Sequence, residues 1–267
     1  MITKFQKFLE KNELAKNTIT AYTSAVNTYF LLYENVNKEN LLAYKVWLIE
    51  NFKPETVNAR LQALNKFLEF QEKDRLKIKF VRIQQKNFLE NVISEADYKF
   101  FKNQLKHDKL IKWYFIVWFL TATGARISEL IQIKVEHVEA GHLDIYTKGG
   151  NIRRLYIPKN LRLQAMVWLN KEKISLGYIF QTQYGGRLCA RTISRYLKIF
   201  ARKYGLNPKV IYPHSFRHRF AKNFLKKCND IALLADLMGH KCIETTRIYL
   251  RRTINEQREI VDKIITW

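Results

Sequence analysis

Between Asn17 and Tyr33 the apolar residues Ile19, Tyr22, Val26, Tyr29 and Tyr33 recur at steps of 3, 4, 3 and 4, which lines side chains along one face of an α-helix. Leu42, Val46 and Ile49 repeat the step and predict a helix that buries them. Val57, Leu61, Leu64 and Leu68 do so again behind Pro54, a residue tolerated in a first turn because the N–H it lacks has no helical acceptor there. Residues 1–75 therefore read as a bundle of about four helices. From Lys73 to Asn87 the period breaks and six Lys or Arg stand against one Asp, the composition of an inter-domain linker, placed over 76–90.

A second domain, 91–267, opens on Ser94 with Asp97 three residues later, an N-cap signature. The uncharged apolar run Trp113–Ala125 has 13 residues, too few for the roughly 20 that a bilayer span needs, so it reads as a buried core helix. "HLDIYTKGGNIRRLYIP" alternates apolar and polar positions on both sides of "KGGN", as a β-hairpin does. Helical pattern returns in "ARTISRYLKIFARKYG", closing on Gly205, and in "DIALLADLMG", from an Asp230 cap to Gly239. The expected class is mainly α with a small β-hairpin, an α+β chain of two unequal domains. No internal repeat interrupts it.

Composition narrows the partner. Lys and Arg number 47 against 24 Asp and Glu, a formal net charge of +23, which suits a polyanion. From Lys173 to Asn229 there are thirteen Lys or Arg and no Asp or Glu, where a merely solubilising face would mix both signs. Nucleic acid is the expected partner. A membrane surface is not, because the charge is spread through globular patterning rather than gathered on one basic amphipathic helix. Three cysteines without scaffold spacing and an N-terminus without an apolar leader point to a reducing, cytoplasmic setting.

The stretch "HSFRHRF" sets His214 and His218 at the i, i+4 spacing of helical metal ligands, with Cys228, His240 and Cys242 downstream. The zinc-protease pattern needs a Glu where Ser215 stands, no Cys-x-x-Cys completes a structural site, and neighbouring arginines repel a dication; no metal is expected. A phosphate uses more of these residues. Arginine's planar, permanently charged fork fits non-bridging phosphate oxygens and acts where negative charge develops. Arg126, at the end of the most apolar segment, and Arg217, between two histidines, have settings that would hold them fixed.

"TGARISEL" (Thr123–Leu130), "HSFRHRF" (His214–Phe220) and "LMGHKCIETTRIYL" (Leu237–Leu250), in this order and with Tyr249 nine residues after His240, resemble the boxes of the tyrosine site-specific recombinases, the integrase and Xer-type enzymes. The likeness spans nearly the whole chain. It implies an N-terminal helical core-binding domain followed by a catalytic domain, and an enzyme that cuts and rejoins DNA through a 3′-phosphotyrosine without metal, ATP or other cofactor. By the same resemblance Arg126 and Arg217 would clamp the scissile phosphate, and His214 and His240 would hydrogen-bond it, His214 also assisting proton transfer. Glu129 would steady the site, Lys148 would protonate the departing 5′-oxygen, and Tyr249 would be the nucleophile. Because the hairpin tip is longer than the family's usual turn, Lys159 and Arg153 compete with Lys148 by position. The implied partners are double-stranded DNA carrying an inverted-repeat recombination site and three further copies in a homo-tetramer on two such sites, with the tail "TINEQREIVDKIITW" as an exchanged segment. A type IB topoisomerase-like enzyme and a non-catalytic DNA-binding protein are the rival readings.

Overall fold

The computed structural model describes residues 1–83, 92–146, 152–240, 242–250, 258 and 261–265. The chain divides into two compact units, Met1–Gln85 and Lys86–Trp267, each built around its own apolar core.

In the first unit α1 (Ile2–Lys11), α2 (Lys16–Leu32), α3 (Lys38–Asn51) and α4 (Pro54–Phe70) enclose Phe5, Leu9, Val26, Tyr29, Leu61, Leu64, Phe67 and Leu68, all essentially inaccessible. The faces of α2 and α4 that point inward are those their spacing predicts. In α3 they are not. Leu41, Tyr44 and Leu48 are buried, while Leu42, Val46 and Ile49 are 50%, 55% and 51% exposed. Both sets keep helical spacing, so size decides. An aromatic ring removes roughly 150–250 Å² from water, and the Tyr44 ring meets that of Tyr29 edge-on at 5.1 Å. The stretch expected as a linker is also partly structured. The amide of Asn65 donates to the Ile78 carbonyl and accepts from its N–H, and Asn58 does the same for Val81. Two asparagine side chains thus satisfy the backbone as a neighbouring strand would, and Ile78 is buried on the bundle.

The second unit contains α5 (Glu95–His107), α6 (Ile111–Thr123), α7 (Ile127–Leu130), α8 (Val135–Ala140), β1 (His142–Tyr146), β2 (Ile152–Tyr156), α9 (Lys159–Lys171), α10 (Ala190–Lys203), α11 (Pro213–Lys227), α12 (Ile231–Met238) and α13 (Glu244–Arg247), then a 3₁₀ turn, Ile248–Leu250. Helix α6 buries Trp113, Phe115, Ile116, Val117, Phe119 and Leu120 and is apolar on nearly every side, as a central helix must be. Its ends and those of its neighbours follow the expected caps. Ser94 Oγ accepts from Asp97 N–H at the start of α5 and Asp230 from Leu233 N–H at the start of α12. No helix among the described residues is long and apolar enough to cross a membrane.

Strands β1 and β2 pair antiparallel with Leu143 opposite Leu155 and Ile145 opposite Arg153. Along β2 the burial alternates: Arg153 and Leu155 face inward, Ile152, Arg154 and Tyr156 outward. The chain is therefore a mainly helical α+β protein. A third, small apolar cluster of Ala221, Leu234, Met238 and Tyr249 joins α11, α12 and the 3₁₀ turn, and on its border lie the residues singled out by their chemistry.

Candidate active site

Helix α6 ends at Gly124, whose backbone is left-handed with φ 62°, a conformation that costs a side chain and not a glycine. A Cβ there would also stand 2.4 Å from the Phe220 ring. Two residues on, Arg126 caps α7. Its backbone N–H donates to Glu129 Oε2 at 2.7 Å and its Nη1 to Glu129 Oε1 at 2.8 Å, so the carboxylate holds both ends of one residue. Glu129 is 5% exposed. Burial alone would raise its pKa, but the charges of Arg153 and Arg126, with hydrogen bonds from Arg126, outweigh that and hold it below the usual carboxylate value.

Helix α11 starts at Pro213 and carries His214, Arg217 and His218 on one side. Arg217 is buried. Its Nη1 donates to the Gly124 carbonyl at 2.5 Å and its Nη2 to that of Met238 at 2.6 Å. Desolvation and the charges of Arg126 and Arg153 lower its pKa to about 10, which leaves it fully charged at neutral pH. His214 is exposed as a residue, and partial desolvation, then Arg217 and Arg126, hold it below the ordinary histidine value. The His218 ring is more enclosed and is lowered to about 4, mainly by burial; it lies 5.3 Å from the Tyr249 ring.

The C-terminal end of α12 completes the arrangement. The carbonyls of Leu237, Met238 and Gly239 each accept from a different arginine: Arg153 Nε at 2.7 Å, Arg217 Nη2 at 2.6 Å and Arg126 Nη2 at 3.3 Å. These carbonyls have no N–H donor from a following helical turn, and the negative end of the helix dipole favours cations. Gly239 then turns the chain with φ 61° and presents His240. Arg217 Nη2 stands 3.1 Å from His240 Nε2, and His240 Nδ1 is 2.8 Å from Thr246 Oγ1. A guanidinium has no lone pair to offer, so Nε2 accepts and the imidazole proton sits on Nδ1, facing the buried threonine. Burial, then Arg217, Arg126 and Arg153, depress His240 to about 4.

Tyr249 is 6% exposed, on the 3₁₀ turn. Its ring lies parallel to that of His240, centroids 6.2 Å apart, and the Arg217 and Arg126 guanidinium groups lie close enough to act on its hydroxyl. Desolvation raises its pKa; Arg217 and Arg126 oppose the rise without cancelling it. The phenol is stored neutral beside two cations. Of the candidates from sequence, Arg126, Glu129, Arg217, His240 and Tyr249 thus share one network, with His214 at its open edge.

Lys148 lies outside the described residues. Lys159 is exposed at the start of α9. Arg153, weighed only as an alternative proton donor, is 5% exposed and engaged with Glu129 at 2.7 Å and with Leu237, so it has no free path to a leaving group. Thr246, fully buried, is absent from the sequence reading, and only an unexplained polar residue three positions before Tyr249 pointed to it. His137 accepts from the Lys134 N–H at the start of α8, a local cap. Among the described residues no three His, Cys, Asp or Glu side chains gather closely enough to hold a metal ion.

Residues 85–256 match the phage integrase family. The tyrosine recombinase XerA of Pyrococcus furiosus is 28% identical, the alignment covering 98% of this chain and 93% of the relative. Among solved structures, the Tn1549 transposon integrase in complex with transposon right end DNA has a TM-score of 0.73 at 17% identity, covering 98% of each chain. The XerH site-specific recombinase bound to its palindromic difH substrate also has a TM-score of 0.73, at 18% identity, covering 100% of this chain and 85% of that one. With well over half its length matched, the chain belongs to the phage integrase family and is a tyrosine site-specific recombinase, a DNA strand transferase.

Proposed function

We propose that the chain cuts and rejoins duplex DNA at an inverted-repeat site through a 3′-phosphotyrosine on Tyr249, working in the cytoplasm as a homo-tetramer on two such sites. The Tyr249 oxygen attacks the scissile phosphorus as the bond to the 5′-oxygen breaks. The phenolic proton leaves with the help of His214, and Lys148 protonates the departing 5′-oxygen. Arg126 and Arg217 take up the charge that grows on the non-bridging oxygens, which is where fixed cations lower a barrier most, and His240 donates to the same phosphate once its proton moves to Nε2, the Thr246 hydroxyl then donating to Nδ1. Attack of a 5′-hydroxyl on the phosphotyrosine reverses each step. No bond energy is lost, so no nucleotide is consumed.

The observation that carries this reading is the meeting of one buried phenol with Arg217 and His240. A phenol kept above its normal pKa attacks only when something removes its proton, and an anionic phosphate between the arginines supplies the target. The +23 charge of the chain supports a DNA partner. To test it, the full chain is incubated with a random-sequence pool of nicked duplexes in which the cleaved 5′ end diffuses away. A covalent adduct located on the Tyr249 peptide by mass spectrometry is expected, and none with Tyr249→Phe. An adduct formed at equal yield by the Phe variant, or none with the native chain, overturns the assignment.

A further inference from the structure

Two adjacent arginines on β2 have opposite fates. Arg154 faces outward and pairs with Asp144 across the hairpin, Nε to Oδ1 at 2.7 Å and Nη2 to Oδ2 at 2.7 Å, an exposed ion pair of the kind that contributes little. Arg153 faces inward, where a charge is costly unless it is paired. It has two partners, and both belong to the site. Its Nη1 donates to Glu129 Oε2, on the carboxylate whose other oxygen holds Arg126, and its Nε donates to the carbonyl of Leu237, two residues before Gly239. Its stem lies directly under the turn that presents His240, since a Cβ on Gly239 would stand 2.4 Å from Arg153 Cδ. Its Nη2 is buried with no hydrogen-bond partner among the described residues, an unpaired donor that calls for an explanation.

We propose that Arg153 is a positioning residue for strand cleavage, one that fixes Arg126 and His240 relative to each other by binding Glu129 and the end of α12 at once. It does not touch the DNA. Its Nη1 and Nε are taken by Glu129 and Leu237 and its Nη2 is buried, so its effect on the phosphate passes through the residues those partners hold. Arg217 already ties α6 to α12 through Gly124 and Met238. Arg153 adds the third side, so that the Arg126 turn, the His240 turn and the hairpin close a triangle. The proposal rests on the reading of Arg126, His240 and Tyr249 as clamp and nucleophile.

The test uses the full chain and the nicked duplex recovered above by covalent capture. Arg153→Met is expected to bind that duplex within about threefold of the native affinity and to form adduct about 100-fold more slowly, the loss typical of a catalytic group misplaced by about an ångström. Arg153→Lys, which reaches one partner but not both, is expected to lose less than Arg153→Met. The decisive comparison replaces one non-bridging oxygen of the scissile phosphate by methyl, which makes that phosphate neutral. With this methylphosphonate duplex the Arg153→Met deficit should shrink to about tenfold or less, because a neutral phosphate asks less of a misplaced cation. An equal loss on both duplexes would mean that the substitution merely disturbs folding, and a native rate would mean that Arg153 positions nothing; either overturns the proposal. If the Met variant fails to fold, the Lys variant decides by the same ratio. Tyr249→Phe run alongside separates the two readings: its activity would sink the nucleophile assignment, whereas its inactivity beside fully active Arg153 variants would sink this inference alone.

Discussion

Glu129 is a single carboxylate surrounded by guanidinium groups: Arg126 and Arg153 within hydrogen-bonding distance and Arg217 at 3.9 Å. It keeps three like charges from driving one another apart, and its low pKa keeps it ionised while it does so. The same field, with burial, depresses the histidines. His218 and His240 both sit near 4 when folded, against about 6.5 for a free side chain. Between those values the unfolded chain takes up protons that the folded chain refuses, so folding free energy is lost as the pH falls from about 6.5 towards 4 and is fully present above that window. Melting temperature measured across pH 4–7 should drop on the acid side, and the slope should be shallower in His218→Asn, whose side chain cannot titrate. A slope unchanged in that variant would show that His218 does not carry a depressed pKa. At this scale the sequence was informative wherever function demands a residue type at a set spacing, as in His-x-x-Arg-His and the tyrosine after Gly-His. It offered Arg153 only as a rival proton donor and was silent on Thr246, because the part each plays comes from which way a side chain points.

At the scale of elements the short helix α12 matters most. It has one turn to spare, yet three consecutive carbonyls at its C-terminal end are held by arginines from α7, α11 and β2. Gly239 is the hinge of that arrangement. Gly239→Ala meets two obstacles, a left-handed backbone and the Arg153 stem where its Cβ would go, and should cost about 1–3 kcal/mol of stability, read as a lower urea midpoint with unchanged slope. A midpoint equal to that of the native chain would show that the turn relaxes freely. Caps and the hairpin were legible in advance because Ser94, Asp230 and Gly239 signal helix ends by local hydrogen bonding alone. The buried face of α3 was not, because two apolar stripes with the same spacing competed and only the packing of Tyr44 against Tyr29 separated them.

At the scale of the whole molecule, two units have separate cores, and that of the first includes Ile78 and, at its edge, Val81. Residues 1–85 should therefore fold alone and melt cooperatively by circular dichroism, whereas a fragment cut at 75 should be less stable, having lost the segment pinned by Asn58 and Asn65. Equal melting of the two fragments would show that the pinned segment adds nothing. A linker was expected there because its charge and broken period resemble one; asparagine amides that stand in for a neighbouring strand leave no trace in hydrophobic patterning. The chain's positive excess also has a local form. Three guanidinium groups against one carboxylate give the site two net positive charges, the valence of a magnesium or calcium ion. Unlike such an ion, this charge is anchored by the backbone: it cannot be chelated, exchanged or diluted, and it comes into being when the chain folds. Control over when a strand is cut must then act on access to the phosphate and on the tyrosine's proton, since the supply of cation is never in question.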